Sequence, residues 1–234
     1  MRLYLLPYAG GSAKSYQVLQ PFFAPTIDVV PLDVPDRGRM YADLPELLSL
    51  REMAHRIAVH IGNETEPYAI FGHSMGALLA FEVVRALTSM HGCLPLLLMV
   101  SGHQAPHLER TCPSLHDSPQ DEFDRRLSLL SATPQEILDH GEMMDLLRPR
   151  IRRDFQACET YRYTEGRALP VPLACLGGDD DPTVSIDELH AWSMHSSDYL
   201  GSFLFPGGHF YFLDNLPEVA KEVERLMCLV AMTA

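Results

Sequence analysis

Nothing in this sequence is apolar for long enough to enter a bilayer. The longest apolar run, Leu94 to Val100, is interrupted by Pro95 and falls far short of the ~20 residues a spanning helix needs. The opening residues Met1-Arg2-Leu3-Tyr4-Leu5-Leu6 meet Pro7 at once, too short a stretch for a signal peptide, so a cytoplasmic protein without a membrane partner is expected. Basic charge is scarce: 18 Lys and Arg stand against 31 Asp and Glu, a net charge of −13. That balance excludes the basic face a nucleic-acid groove requires. Cysteine is sparse and unpatterned. Cys93, Cys112, Cys158, Cys175 and Cys228 form no CxxC or Cys/His cluster, which points to reduced thiols rather than a disulfide framework or a zinc site. There is no internal repeat and no low-complexity linker.

What is present suits one domain, or one domain plus a small subdomain: 234 residues, 47% hydrophobic and 21% charged. The acidity is uneven, because residues 171–234 hold two basic and ten acidic side chains. Short apolar strands are predicted at Arg2–Leu6, Ile27–Leu32, Tyr68–Phe71, Leu96–Ser101, Val171–Leu176 and Gly201–Phe205. Helices are predicted at Ala13–Phe23, from Leu44 to about Ile61, from Ala77 to about Met90, and from Leu216 to about Met227. Such alternation indicates a mostly parallel sheet flanked by helices. Residues 105–165 carry no strand signal. They read as helices broken at Pro113, Pro119, Pro134, Gly141 and Pro149, a cap over one end of the sheet. The expected division is a core of 1–104 and 166–234 with a lid of 105–165.

Gly72-His73-Ser74-Met75-Gly76 fits Gly-x-Ser-x-Gly between a predicted strand and a predicted helix. A reversal from strand to helix in so few residues strains Ser74, lifts its hydroxyl above the sheet edge, and turns the Met75 N–H toward any oxyanion formed there. A serine hydroxyl needs a base, and His209 in Pro206-Gly207-Gly208-His209-Phe210 follows a predicted strand on a glycine-rich loop. The other histidines read as packing residues; His103 and His107 are four apart, but Pro106 between them spoils a helical metal pair. An orienting carboxylate is expected from Gly177-Gly178-Asp179-Asp180-Asp181-Pro182. Three consecutive aspartates cannot all be buried and ionised without partners; Asp181 is favoured, with Asp180 as the alternative. The chain order Ser, Asp, His is that of an α/β-hydrolase, and a second oxyanion N–H is expected at Ala9, in the turn after the first strand.

Further segments occur in order with these: Pro7 to Ser12, Ser101-Gly102 with Ala105-Pro106-His107-Leu108, Arg152-Arg153-Asp154-Phe155, Gly178 to Pro182 with Trp192, and Gly207-Gly208-His209-Phe210. Together they resemble the type II thioesterases that accompany nonribosomal peptide and polyketide synthases, over nearly the whole chain. The resemblance implies an α/β-hydrolase fold with a helical lid insertion, and hydrolysis of acyl thioesters on the phosphopantetheine arm of carrier-protein domains. It maps a triad onto Ser74, Asp181 and His209 and calls for no cofactor and no metal. One departure is Pro35-Asp36-Arg37-Gly38-Arg39, where the family usually has Pro-Gly before the basic residue.

In the lid, Leu127, Leu130, Ile137, Met143, Met144, Leu146 and Leu147 are available to line an acyl pocket or to pack the lid on the body. Arg148, Arg150, Arg152 and Arg153 read by default as a solvated helix face; Arg152 and Asp154 are also candidates for lid ion pairs. The sharper expectation is that Arg148 and Arg150 meet the phosphopantetheine phosphate or an acidic carrier, because a chain this acidic repels such a partner on average. A monomer is expected. A generic serine esterase or thioesterase on small acyl or acyl-CoA substrates shares the triad, and a non-catalytic partner that kept the fold is the remaining alternative.

Overall fold

A computed structural model of the chain describes residues 1–35, 49–111, 113–130 and 140–233. The strands are β1 (Arg2–Leu6), β2 (Asp28–Pro31), β3 (Tyr68–His73), β4 (Leu97–Ser101), β5 (Leu173–Gly178) and β6 (Tyr199–Phe205). The helices are α1 (Leu50–Ile61), α2 (Met75–Met90), α3 (Gln120–Leu129), α4 (Gly141–Glu159), α5 (Ile186–His190), α6 (Tyr211–Asp214) and α7 (Leu216–Ala231). The strands form one sheet in the order β2-β1-β3-β4-β5-β6, and every neighbouring pair is parallel. Parallel neighbours cannot be joined by hairpins, so each connection crosses a face and both faces become covered. Successive side chains therefore enter two different cores. Tyr4, Ile70, Leu98 and Cys175 join α1 and α2 on one side; Leu3, Phe71, Met99 and Leu176 join α7 on the other. This explains why the strands read as unbroken apolar runs. Each fully buried Leu, Ile or Phe in these layers contributes roughly 1.5–3 kcal/mol. No helix among the described residues is long and apolar enough to cross a membrane.

The sheet order also locates a crevice. β1 lies between β2 and β3, so the chain leaves β1 toward one edge and later returns on its other side. The loops after β1 and β3 diverge at the carboxyl ends of the strands, the place where open α/β sheets bind ligands. The glycine-rich segment 8–12 and Ser74 both sit there.

Three elements differ from expectation. The helix expected over Ala13–Phe23 is two short 3-10 turns, Ala13–Tyr16 and Gln20–Phe22. The tighter winding puts Tyr16 and Leu19 on one side, three residues apart, where both are buried, and Pro21 sits in the second turn. The helix expected from Leu44 is capped at Ser49, which is extended (φ −64°, ψ 157°) and exchanges bonds with Glu52 in a capping box; residues 44–48, like Asp36 to Arg39, lie outside the described residues. Pro149 does not break α4. Proline removes the N–H that would bond to Asp145, but side-chain ties hold the helix on both sides of it, from Arg148 to Asp124 and Asp145 and from Arg150 to Gly11. Between residues 105 and 165 the described chain has no strand, as expected, but it is helical only in α3 and α4; residues 105–111, 113–119 and 160–165 are turns and coil rather than the expected helices. The segment has its own small core of Leu115, Phe123, Leu127, Met144 and Ile151.

Candidate active site

β3 ends at His73 and α2 starts at Met75, which leaves Ser74 alone to make the turn, at φ 55° and ψ −117°. A non-glycine residue at such angles costs of order 1–3 kcal/mol and persists only when its surroundings impose it. Here they do. The Ser74 N–H donates to the Ser101 carbonyl at 2.7 Å, and the Ser74 carbonyl accepts from Ala77 N–H at 2.9 Å. A Cβ on Gly72 would lie 1.9 Å from the Gly76 carbonyl oxygen, and one on Gly76 would lie 2.3 Å from that of Leu6. Both glycines are thus required by close approach. Met75 is the first residue of α2, so its N–H has no intrahelical acceptor and lies at the positive end of the helix dipole.

The parallel pair β5 and β6 carries two loops side by side, and the three aspartates separate there. Asp179 accepts from Gly207 N–H at 3.0 Å, and the Asp180 N–H donates to the Gly207 carbonyl at 3.0 Å; both residues are exposed. Asp181 is the one whose carboxylate meets His209, its Oδ2 lying 2.8 Å from Nδ1. The two side chains are 0% and 5% exposed. Thr183 was not foreseen. Its N–H and hydroxyl donate to Asp181 Oδ1 at 2.8 and 2.7 Å, and its Oγ1 lies 2.9 Å from His209 Nδ1. Since the Thr183 hydroxyl proton already points at Asp181, its oxygen can only accept from the ring. Nδ1 therefore carries the proton, and Nε2 keeps its lone pair. Burial would raise the Asp181 pKa, but the bonds from His209 and Thr183 and the charge on His209 outweigh it, and the carboxylate titrates below its ordinary range.

Beneath His209 lies a buried polar chain. His73 Nδ1 is 2.9 Å from Ser101 Oγ, which is 2.7 Å from the Tyr211 hydroxyl, and the His73 ring centre is 4.9 Å from that of His209. Burial first, then the charges of His209 and His103, push His73 well below its ordinary pKa. His103 and His195 are pushed down to about 4, also chiefly by burial. All three lie below the ordinary value near 6.5, so under that pH the unfolded chain binds protons that the native state refuses. Stability is expected to be flat with respect to these groups above about pH 7. It should fall between about 6.5 and 4, by up to ~1.4 kcal/mol per pH unit for each histidine. Urea unfolding at pH 7.5, 6 and 5 checks this; equal unfolding free energies at the three pH values would contradict it.

Ala9, Ser74, Thr183 and His209 line a cavity of about 290 Å³. Residues 105–165 supply much of the remaining wall, including Leu115, Leu130 and Phe155 with Arg110 and Arg126. The loop bearing Ala9 is held from α4: the Gly10 N–H donates to Asp154 at 2.6 Å, and Arg150 donates to the Gly11 carbonyl at 2.6 Å. Asp154 thus bonds the loop rather than only neighbouring arginines. The other expected binding residues do not line the cavity. Arg148 donates to both oxygens of Asp124 at 2.9 Å and to Asp145 at 2.7 Å, with its side chain 11% exposed, so its charge is neutralised within residues 105–165. Met144 is buried in the small core with Leu127, and Leu147 packs against it, while Met143 and Leu146 are exposed. Of the expected pocket residues only Leu130 reaches the wall; Ile137 lies outside the described residues. Among the described residues no three His, Cys, Asp or Glu are grouped to hold a metal. His107 pairs instead with His195, ring nitrogens 2.7 Å apart.

A strained hydroxyl, an imidazole held in one tautomer by a buried carboxylate, and free N–H groups at a helix start are the parts of nucleophilic catalysis on an acyl group. The thioesterase domain family matches residues 1–227. The chain is 33% identical over 229 residues to the gramicidin S biosynthesis protein GrsT of Aneurinibacillus migulanus, covering 97% of this chain and 88% of that protein. It is 34% identical over 231 residues to thioesterase PikA5 of Streptomyces venezuelae, covering 95% and 79%. Among solved structures, the type II thioesterase BorB from the borrelidin biosynthetic cluster is similar at a TM-score of 0.84 and 35% identity, covering 97% and 92%.

Proposed function

The chain belongs to the thioesterase domain family and is a thioester hydrolase, and from that premise we propose that it clears acyl groups from the phosphopantetheine arm of synthase carrier proteins. The observation that carries the chemistry is His209, held by the buried Asp181 carboxylate and lining the same cavity as Ser74. Ser74 Oγ attacks the thioester carbonyl carbon as its proton passes to His209 Nε2, and the N–H groups of Ala9 and Met75 stabilise the oxyanion. The C–S bond breaks, and the leaving sulfur takes the proton from His209. Water then gives a proton to His209 and attacks the acyl-enzyme; the acid leaves, and Ser74 recovers its proton. Asp181 stabilises the imidazolium in both steps. Residues 105–165 act as the lid over this site, on a core of 1–104 and 166–234. The carrier as substrate is supported by likeness to the type II thioesterase BorB of the borrelidin biosynthetic cluster and to the type II thioesterase YbtT of the yersiniabactin NRPS/PKS biosynthetic pathway.

Intact-mass monitoring of deacylation tests the reading. Acyl-carrier proteins are expected to turn over at least tenfold more efficiently than the same acyl group on coenzyme A or p-nitrophenol; equal efficiency on all three would favour a general esterase. Within the mechanism, Thr183→Val removes one acceptor and one donor from the Asp181–His209 pair. It should lower kcat about tenfold with little change in KM, and Thr183→Ser should restore most of the rate. An unchanged kcat in the valine variant would remove Thr183 from the machinery.

A further inference from the structure

The cavity wall drawn from residues 105–165 carries charge that the mechanism leaves unused. Several arginines of this acidic chain meet carboxylates: Arg125 meets Glu122, Arg148 meets Asp124 and Asp145, and Arg225 meets Glu222. Arg126, like Arg152 and Arg162, is held by backbone carbonyls instead, but it lines the cavity. Its two terminal nitrogens donate to the carbonyls of Ser114 at 3.1 Å and Pro113 at 2.8 Å, and among the described residues no carboxylate is paired with it. A guanidinium has five N–H groups, so donors remain beyond those two bonds. Arg110 does have a carboxylate, Glu159 at 3.2 Å. That carboxylate also accepts from the N–H groups of Leu115 and His116 and from the Ser114 hydroxyl, and it lies 2.6 Å from the His116 ring. The wall of the cavity that holds Ser74 and His209 thus carries two guanidinium groups against one carboxylate, Glu159, which bonds only Arg110 of the two and is already heavily occupied.

We propose that Arg110 and Arg126 form an anion subsite in this cavity, which takes a negatively charged group of the thioester substrate. The proposal rests on the reading of the site as a thioesterase. Two groups have the right chemistry: the phosphate of the pantetheine arm, and a carboxylate at the far end of the acyl chain. Either accepts charge-assisted, paired bonds from guanidinium. Since the chain as a whole carries −13, it repels both, and a local pair of cations is what such a substrate needs.

Soluble thioesters separate the two sources. Hexanoyl-4′-phosphopantetheine against hexanoyl-pantetheine reads the phosphate; adipoyl-pantetheine against hexanoyl-pantetheine reads the acyl carboxylate. The wild type should prefer the anionic member of at least one pair in kcat/KM. Arg126→Gln should cut that preference about tenfold, mostly through KM, while Arg126→Lys keeps most of it. Because Arg126 also holds the 113–114 carbonyls, Arg110→Gln is the second variant: Glu159 retains its other donors, and the same preference should fall severalfold. Loss in the first pair assigns the phosphate and loss in the second the carboxylate, and either supports the subsite. A wild type with no preference in either pair, or a preference that survives both glutamine variants, overturns it while leaving the hydrolase reading intact. No turnover of any of these thioesters, with acyl-carrier protein still hydrolysed, overturns the subsite alone; no turnover of acyl-carrier protein either overturns both.

Discussion

Ser74→Ala is expected to lose thioester hydrolysis by at least about ten-thousand-fold in kcat, while folding as the parent does. Alanine keeps the Cβ and therefore the same backbone strain at φ 55°; only the hydroxyl goes. The backbone bonds that fix the turn, from Ser74 N–H to Ser101 and from Ala77 N–H to Ser74, are untouched. The oxyanion donors and the cavity also remain, so a residual rate above that of water is expected. Intact mass gives a second readout: a fluorophosphonate should add one phosphonyl group to the wild type and none to the variant. Retention of more than about a hundredth of the wild-type kcat would move the nucleophile elsewhere. Ser74→Gly completes the argument from the opposite side. Glycine reaches positive φ without penalty, so this variant should be equally inactive yet about 1 kcal/mol more stable in denaturant. An inactive protein that is more stable than its parent is the outcome expected when strain is held in place for chemistry.

That turn was also the most legible part of the chain. Gly72 and Gly76 stand where the backbone approaches itself and Leu6 too closely for any Cβ, with Ser74 at positive φ between them, so the chemistry of the turn is written in five adjacent residues. The sheet was legible for a similar reason: strands buried on both faces must be apolar throughout. What was hidden depends on pairings distant in sequence. Arg148 reads as a surface cation until Asp124 is placed beside it, and Asp154 as one more lid charge until it meets Gly10, 144 residues away. Met144 looks like a pocket residue in a helix whose neighbours are unknown, and becomes core once Leu115, Phe123 and Leu127 surround it. The Asp181–Thr183 contact is local and could have been suggested as an Asx turn; its second partner, His209, comes only from the register of β5 against β6. Pro149 misled because local propensity counts the lost hydrogen bond and not the side-chain ties on either side of it.

Thr183 makes the second large prediction unusually specific. Asp181→Asn should lower kcat about ten-thousand-fold, although the replacement is nearly isosteric. In the native protein Oδ1 of Asp181 accepts two bonds from Thr183, one from the backbone N–H at 2.8 Å and one from the hydroxyl at 2.7 Å. An asparagine must place its carbonyl oxygen at that position, because its NH2 there would face two donors. The NH2 is then turned toward His209 Nδ1, which can accept it only without its own proton. The ring proton moves to Nε2, and the lone pair that should take the Ser74 proton is gone. Asp181→Ala removes the partner without dictating the tautomer, so the isosteric variant should be no more active than the truncated one. Nitrogen chemical shifts of His209 offer a direct check, with the proton on Nδ1 in the wild type and on Nε2 in Asp181→Asn. Adding Thr183→Val to Asp181→Asn should recover little, since the backbone N–H of residue 183 still selects the same amide orientation. An Asp181→Asn enzyme with a tenth of the wild-type rate, or with its proton still on Nδ1, would show that the carboxylate neither sets the tautomer nor steadies the charge on His209.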